Sequence, residues 1–321
     1  MRQTVTLVIV GILSLLSIAA GDARAQGDVH PRIAFTSNGD VHRIDADGRN
    51  LRNLTDSLAR DGWPSWSPDG RRIAFGSLGR AGVPAGVYVM KANGDDRHAV
   101  ADHPSGDSSP AWSPSGKQIA FVSERDHWGW RGVFVMDADG GNQHIVSGDV
   151  LFTDTDPGWS PSGRQIAFTS SRDGNGEIYI VNADGTDPRR ITANAAEDGN
   201  PTWSPDGHSI AFNSARNDGT DIYVVDLDDR DVRRVTDTPS PAVSFEPAWS
   251  PDGTQIAFAS TLDRPNVAQL YVVDAGGGEL RGLTDSPVSS FQPDWYNPNA
   301  ALALSNARRL LSTWGWIRRP R

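Results

Sequence analysis

The side chains able to do chemistry recur at fixed places in this chain. An acid stands five residues before a tryptophan four times, as Asp61, Asp107, Asp154 and Asp198. Two further occurrences carry serine, Ser244 and Ser290, each followed by an aromatic, Phe245 and Phe291. Brought together, these carboxylates would accept a basic or hydrogen-bonding partner. The alternative is that each aspartate caps its own segment by accepting nearby backbone N–H groups. A second cluster, between Glu124 and Gly132, holds His127, Trp128 and Trp130, and Trp63 stands alone before Pro64. Exposed tryptophans anchor partners or stack on sugar rings. Packing over the neighbouring segment Gly79–Gly86 is the competing role.

Catalytic patterns are scarce. With no cysteine there is no thiolate chemistry and no disulfide framework. No G-x-S-x-G elbow occurs. His30, His42, His98, His103, His127, His144 and His208 form no H-x-H or H-E-x-x-H pair, so no metal or other cofactor is expected. Asp-x-Asp-Gly (Asp45–Gly48, Asp137–Gly140) lacks the further oxygen ligands of a calcium loop and reads as a tight turn.

What positions these residues is a repeat. Pro64-Ser65-Trp66-Ser67-Pro68-Asp69-Gly70 returns along the chain with its tryptophan at Trp66, Trp112, Trp159, Trp203, Trp249 and Trp295, at spacings of 46, 47, 44, 46 and 46. Ile-Ala-Phe follows or precedes it at Ile33, Ile73, Ile119, Ile166, Ile210 and Ile256. An aromatic-centred run such as Ile178-Tyr179-Ile180-Val181 and a basic run such as Arg189-Arg190-Ile191-Thr192 complete each period. Four short strands per period, bounded by turn residues, predict an all-β fold, a propeller of four-stranded antiparallel blades. The first Ile-Ala-Phe lacks its own Pro-x-Trp, and Trp295 lacks its own Ile-Ala-Phe. Together they make one blade, so the count is six and the ring closes by pairing N- and C-terminal strands. The recurring tryptophans read as core between blades, since a residue present in every blade serves what every blade shares.

The repeat P-x-W-S-P-D-G-x-x-I-A-F with a downstream I-Y-V-V-D resembles the propeller repeat of the TolB family over residues 31–298. The same WD-like repeat occurs in prolyl-oligopeptidase-type peptidases and oligogalacturonate lyases. The resemblance implies an exported scaffold that binds protein. It covers the propeller only, because the α/β domain that precedes it in TolB has no counterpart between the leader and the first blade. The four aspartates, Trp63, Phe245 and Phe291 belong on the face formed by hairpins between second and third strands and by links between blades. His127, Trp128 and Trp130 join them there, where variation is concentrated. The expected function is non-catalytic binding of a protein, or of a glycan, by a monomer. The alternative is a carbohydrate-active or hydrolytic enzyme with its site at the channel mouth.

The ends read differently. Residues 1–25 have a basic start, an apolar run from Val5 to Ala20 and Ala23-Arg24-Ala25, the layout of a cleaved signal peptide. Export to the periplasm or beyond follows, with no transmembrane span after processing. Residues 26–298 form the propeller, and 299–321 a basic tail with Trp314 and Trp316, of helical composition over Ala300–Leu311. The formal charge of −10 divides into +1 on the leader, +5 on the tail and −16 on the body. An acidic body repels phosphate backbones, which excludes nucleic acid as a partner.

Overall fold

A computed structural model describes residues 31–80, 84–125, 129–148 and 152–296. The expected leader and tail lie outside these residues. The described residues form six four-stranded antiparallel sheets, and none of them is helical. We letter the strands of a blade A to D from the channel outward. Blade 4 is typical, with A at Asp154–Trp159, B at Gln165–Ser170, C at Glu177–Asn182 and D at Arg189–Arg190. Blade 1 takes its A strand, Ser290–Tyr296, from the far end of the chain and pairs it with Arg32–Ser37, Ile33 opposite Trp295. The predicted six-bladed ring and its closure are present.

The core is divided among six interfaces, each drawing on two adjacent blades. Between blades 4 and 5, Ala167, Ile178 and Ile180 of one sheet meet Trp203, Ile210, Phe212 and Tyr223 of the next. The period of two in a strand explains the wording of Ile-Ala-Phe. Ile210 and Phe212 face the preceding blade, and Ala211 faces the next. Alanine is small there because the next blade's tryptophan comes in beside it, as Trp203 does at Ala167. Trp159 adds a tie by donating its indole N–H to Ala111 O of blade 3, at 3.1 Å.

Ser-Pro-Asp-Gly or Ser-Pro-Ser-Gly closes the A–B corner of blades 2 to 6. In blade 2, Asp69 accepts the Ser67 hydroxyl at 2.7 Å and the Arg71 N–H at 3.1 Å. Gly70 sits at φ 65°, and a Cβ there would lie 2.0 Å from the Tyr296 ring. Glycine is required twice over at that corner, by backbone and by space.

Candidate binding face and central channel

Every A strand carries a β-bulge at the residue before its proline. In blade 4, Asp156 and Pro157 together oppose the single Phe168, and the register shifts between Thr155 and Gly158. Proline has no N–H for the ladder, and a bulge removes it from the ladder. The residue before proline pays in backbone conformation. Trp63, Ser109, Asp156, Asn200, Glu246 and Gln292 all lie at φ between 48° and 58°, a region that residues other than glycine seldom occupy. All six line the central channel, a cavity of about 310 Å³. Each blade thus offers the channel a different side chain at this position.

These side chains hold one another. Glu246 Oε2 accepts the Gln292 N–H at 2.8 Å, and Gln292 Oε1 accepts the Trp63 N–H at 2.9 Å and the Thr36 hydroxyl at 2.6 Å. Asp156 Oδ2 accepts the hydroxyls of Thr155, at 2.8 Å, and Thr169, at 3.3 Å. Thr169 Oγ1 in turn accepts the Asn200 N–H at 3.1 Å. Deeper in the channel, Asp294 Oδ2 accepts the Trp66 N–H at 2.6 Å. The closing strand is therefore fastened through the channel to blades 6 and 2.

Burial raises the carboxyls of this group. Glu246 is pushed up to about 7 by burial, with the nearby Asp156 charge adding to it and the Gln292 N–H opposing. Asp294 is pushed up to about 7 by burial, against the Trp66 N–H, and burial raises Asp156 as well. An acid whose folded pKa lies above its unfolded value binds more protons when folded. Its stabilisation is complete below the unfolded pKa, near 4, and is lost as pH rises through about 7. The melting temperature should therefore fall between pH 5 and pH 8, by roughly 2–4 °C for each kcal/mol lost. Calorimetric melts across that range check this, and Glu246→Gln with Asp294→Asn should flatten the profile. A melt insensitive to pH, or unaltered by the pair of substitutions, contradicts it.

The aspartates two residues earlier in the A strands are placed otherwise. Asp61, Asp107, Asp154 and Asp198 have fully buried carboxylates, each against an arginine, Arg97 at 3.1 Å, Arg125 at 2.8 Å, Arg172 at 3.1 Å and Arg216 at 2.9 Å. They make no open collar, because the arginines neutralise them inside the blades while stacking on aromatic rings, as Arg172 does on Tyr179 at 4.6 Å. Three also secure their links, Asp61 accepting the Ser57 hydroxyl, Asp107 the His103 N–H and Asp198 the Asn194 amide. Ser244 and Ser290 occupy the same place with hydroxyl pairs, Ser244 to Ser260 at 3.0 Å and Ser290 to Ser37 at 3.3 Å.

Of the aromatic candidates, Trp63 is half-buried and lines the channel. Phe245 and Phe291 are half-buried against the interface of blades 6 and 1. Trp130 is 43% exposed on the blade 3 hairpin, and His127 and Trp128 lie outside the described residues. The ring of residues before proline escaped the sequence reading except for Trp63. Its signal was there, since this position differs in all six repeats (Trp, Ser, Asp, Asn, Glu, Gln) beside an invariant proline. Leu58 and Leu78, 78% and 52% exposed, and Val288, 38% exposed, are on links and hairpins of the same face as Trp130. Among the described residues only one other large apolar side chain, Leu51, is so exposed. No three His, Asp or Glu side chains among them converge as a metal site, and no helix among them is long and apolar enough to cross a membrane.

The TolB beta propeller domain matches residues 147–244 and 197–309, which together span half the chain. No curated protein matches it. The fold is similar to that of TolB from Acinetobacter baumannii, at TM-score 0.73 and 21% identity over 88% of this chain and 71% of that one. A putative TolB from Agrobacterium tumefaciens is similar at TM-score 0.67 and 23% identity, over 83% and 92%. A puromycin-hydrolyzing peptidase from Mycobacterium tuberculosis matches at TM-score 0.58 and 18% identity, over 80% of this chain and 44% of that one. Identities of this order show a shared fold.

Proposed function

The chain belongs to the TolB beta propeller domain family, and from that membership we propose an exported, non-catalytic binding module whose partner is a protein of the cell envelope. The partner is engaged on the face of B–C hairpins and interblade links, round the mouth of the channel. The observation that carries this reading is the gathering of Leu58, Leu78, Trp130 and Val288 on that one face. Apolar side chains scatter singly on ordinary surfaces, and their concentration on one side marks contact with something else. The half-buried Trp63, Phe245 and Phe291 extend the apolar area toward the channel. His127 and Trp128 belong to the same hairpin as Trp130 in sequence.

Cross-linked capture from envelope extracts tests it, with wild type compared against Trp130→Ala/Leu58→Ser. Both side chains are exposed, so the variant should keep its melting temperature while recovering at least fivefold less partner. Equal recovery of every captured protein would overturn the use of this face.

A further inference from the structure

We propose that a groove at the rim of this face, over blades 6, 1 and 2, holds a segment of the partner protein in which an apolar side chain stands next to a carboxylate. The proposal rests on the binding role above and names the chemistry of the partner. The groove has a volume of about 500 Å³. Leu78 comes to it from the blade 2 hairpin, Val267 from the blade 6 hairpin and Val288 from the link into blade 1, with Phe291 and Trp63 toward the channel. Leu78 and Val288 are exposed, at 52% and 38%, which suits an apolar side chain as occupant.

Arg60 decides what stands beside that side chain. It lines the same groove, and its stem passes over the tight turn at Gly39, with Cγ 3.6 Å from where a Cβ on that glycine would be. Asp61, the next residue, is already matched by Arg97. The arginines deeper in blades 2 to 5, Arg97, Arg125, Arg172 and Arg216, each hold a buried carboxylate. Arg60 is exposed and has no ion pair or side-chain hydrogen bond among the described residues. An unmatched guanidinium beside apolar walls selects an anionic group from a partner. A planar carboxylate next to an apolar side chain meets both requirements at once. The basic segment 299–321 of this chain does not fit, since it carries five arginines. The strand that leads to it also ends at Tyr296, at the opposite end of strand A from the groove.

The test is an array of synthetic decapeptides, each with one Leu or Phe flanked by Asp and Glu, by Asn and Gln, or by Lys. The full chain is the probe, and oligogalacturonide is arrayed as a carboxylate without an apolar anchor. Wild type should retain acid-flanked peptides at least tenfold over their amide counterparts. Arg60→Glu should transfer the preference to Lys-flanked peptides, and Leu78→Ser should weaken all of them, with melts unchanged for both variants. Retention indifferent to flanking charge or to Arg60→Glu would overturn the proposal. So would binding of oligogalacturonide in place of peptide, or a Leu78-dependent dimer in sedimentation. If envelope capture depends on Trp130 and Leu58 while the array shows no acid preference, the groove's chemistry fails and the binding face stands. If capture is also indifferent, both fail.

Discussion

A chain that stops at Ser289 is expected to unfold without cooperativity, while one that stops at Tyr296 keeps a single sharp transition. The seven residues between them are the whole A strand of blade 1. They carry Trp295, which packs with Ile33 and Phe35 on one side and Leu270 and Val272 on the other. They also carry Gln292 and Asp294, the acceptors for Trp63 and Trp66 of blade 2. Removing them opens the interface of blades 6 and 1 to water and unfastens blade 2 inside the channel. In an open row of sheets each unit touches only its neighbours, so melting can begin at a free end and spread. In a closed ring no blade has a free side. Near-UV circular dichroism and tryptophan fluorescence should therefore give broad, non-coincident melts for the shorter chain. Coincident sharp melts would show that closure is dispensable.

The second large effect is expected inside blade 4. Arg172 donates to both oxygens of Asp154 at 3.1 and 3.3 Å, to Ser147 O at 2.9 Å and to Ser170 Oγ at 2.8 Å. Burial pushes the Asp154 carboxyl up, with the Ser170 hydroxyl and the Arg172 charge opposing. Arg172→Ala leaves that buried carboxylate without its partner, which costs about 3–5 kcal/mol. Urea titration should show a lower midpoint with an unchanged slope. Blade 6 supplies the rescue, because it has Ser244 and Leu262 where blade 4 has Asp154 and Arg172. Asp154→Ser/Arg172→Leu should recover most of the loss, since removing both charges removes the penalty of stranding one. A double variant no better than Arg172→Ala would mean the arginine acts by packing on Tyr179 and not by charge.

That pairing was legible and went unread. Asp107–Arg125, Asp154–Arg172 and Asp198–Arg216 are all 18 residues apart, and Ser244 has Leu262 at that distance. In blade 2, Gly79 holds the place and Arg97 comes from the D side instead. The blades themselves were easy to read because the period of two in each strand writes interface contacts directly into Ile-Ala-Phe. The channel ring was not. A residue before proline is expected to be extended, and six in succession with positive φ follow from bulges that no local propensity announces. In the groove, Arg60 and Leu78 are joined locally by a backbone hydrogen bond, but Val288 reaches them from the far end of the chain, which is a property of closure.

The seam in blade 1 also bears on what the chain's order means. Arg32 and Tyr296 are paired neighbours in that blade, at the corner where the other five have Ser-Pro-Asp-Gly or Ser-Pro-Ser-Gly. A corner peptide between them would turn the described ring into a molecule without a first residue. Any of the remaining corners could then be cut to give new ends, and the seam would pass to another blade. The position of the beginning is a convention of translation, like the zero on a dial, and the six interfaces would be the same whichever blade received it.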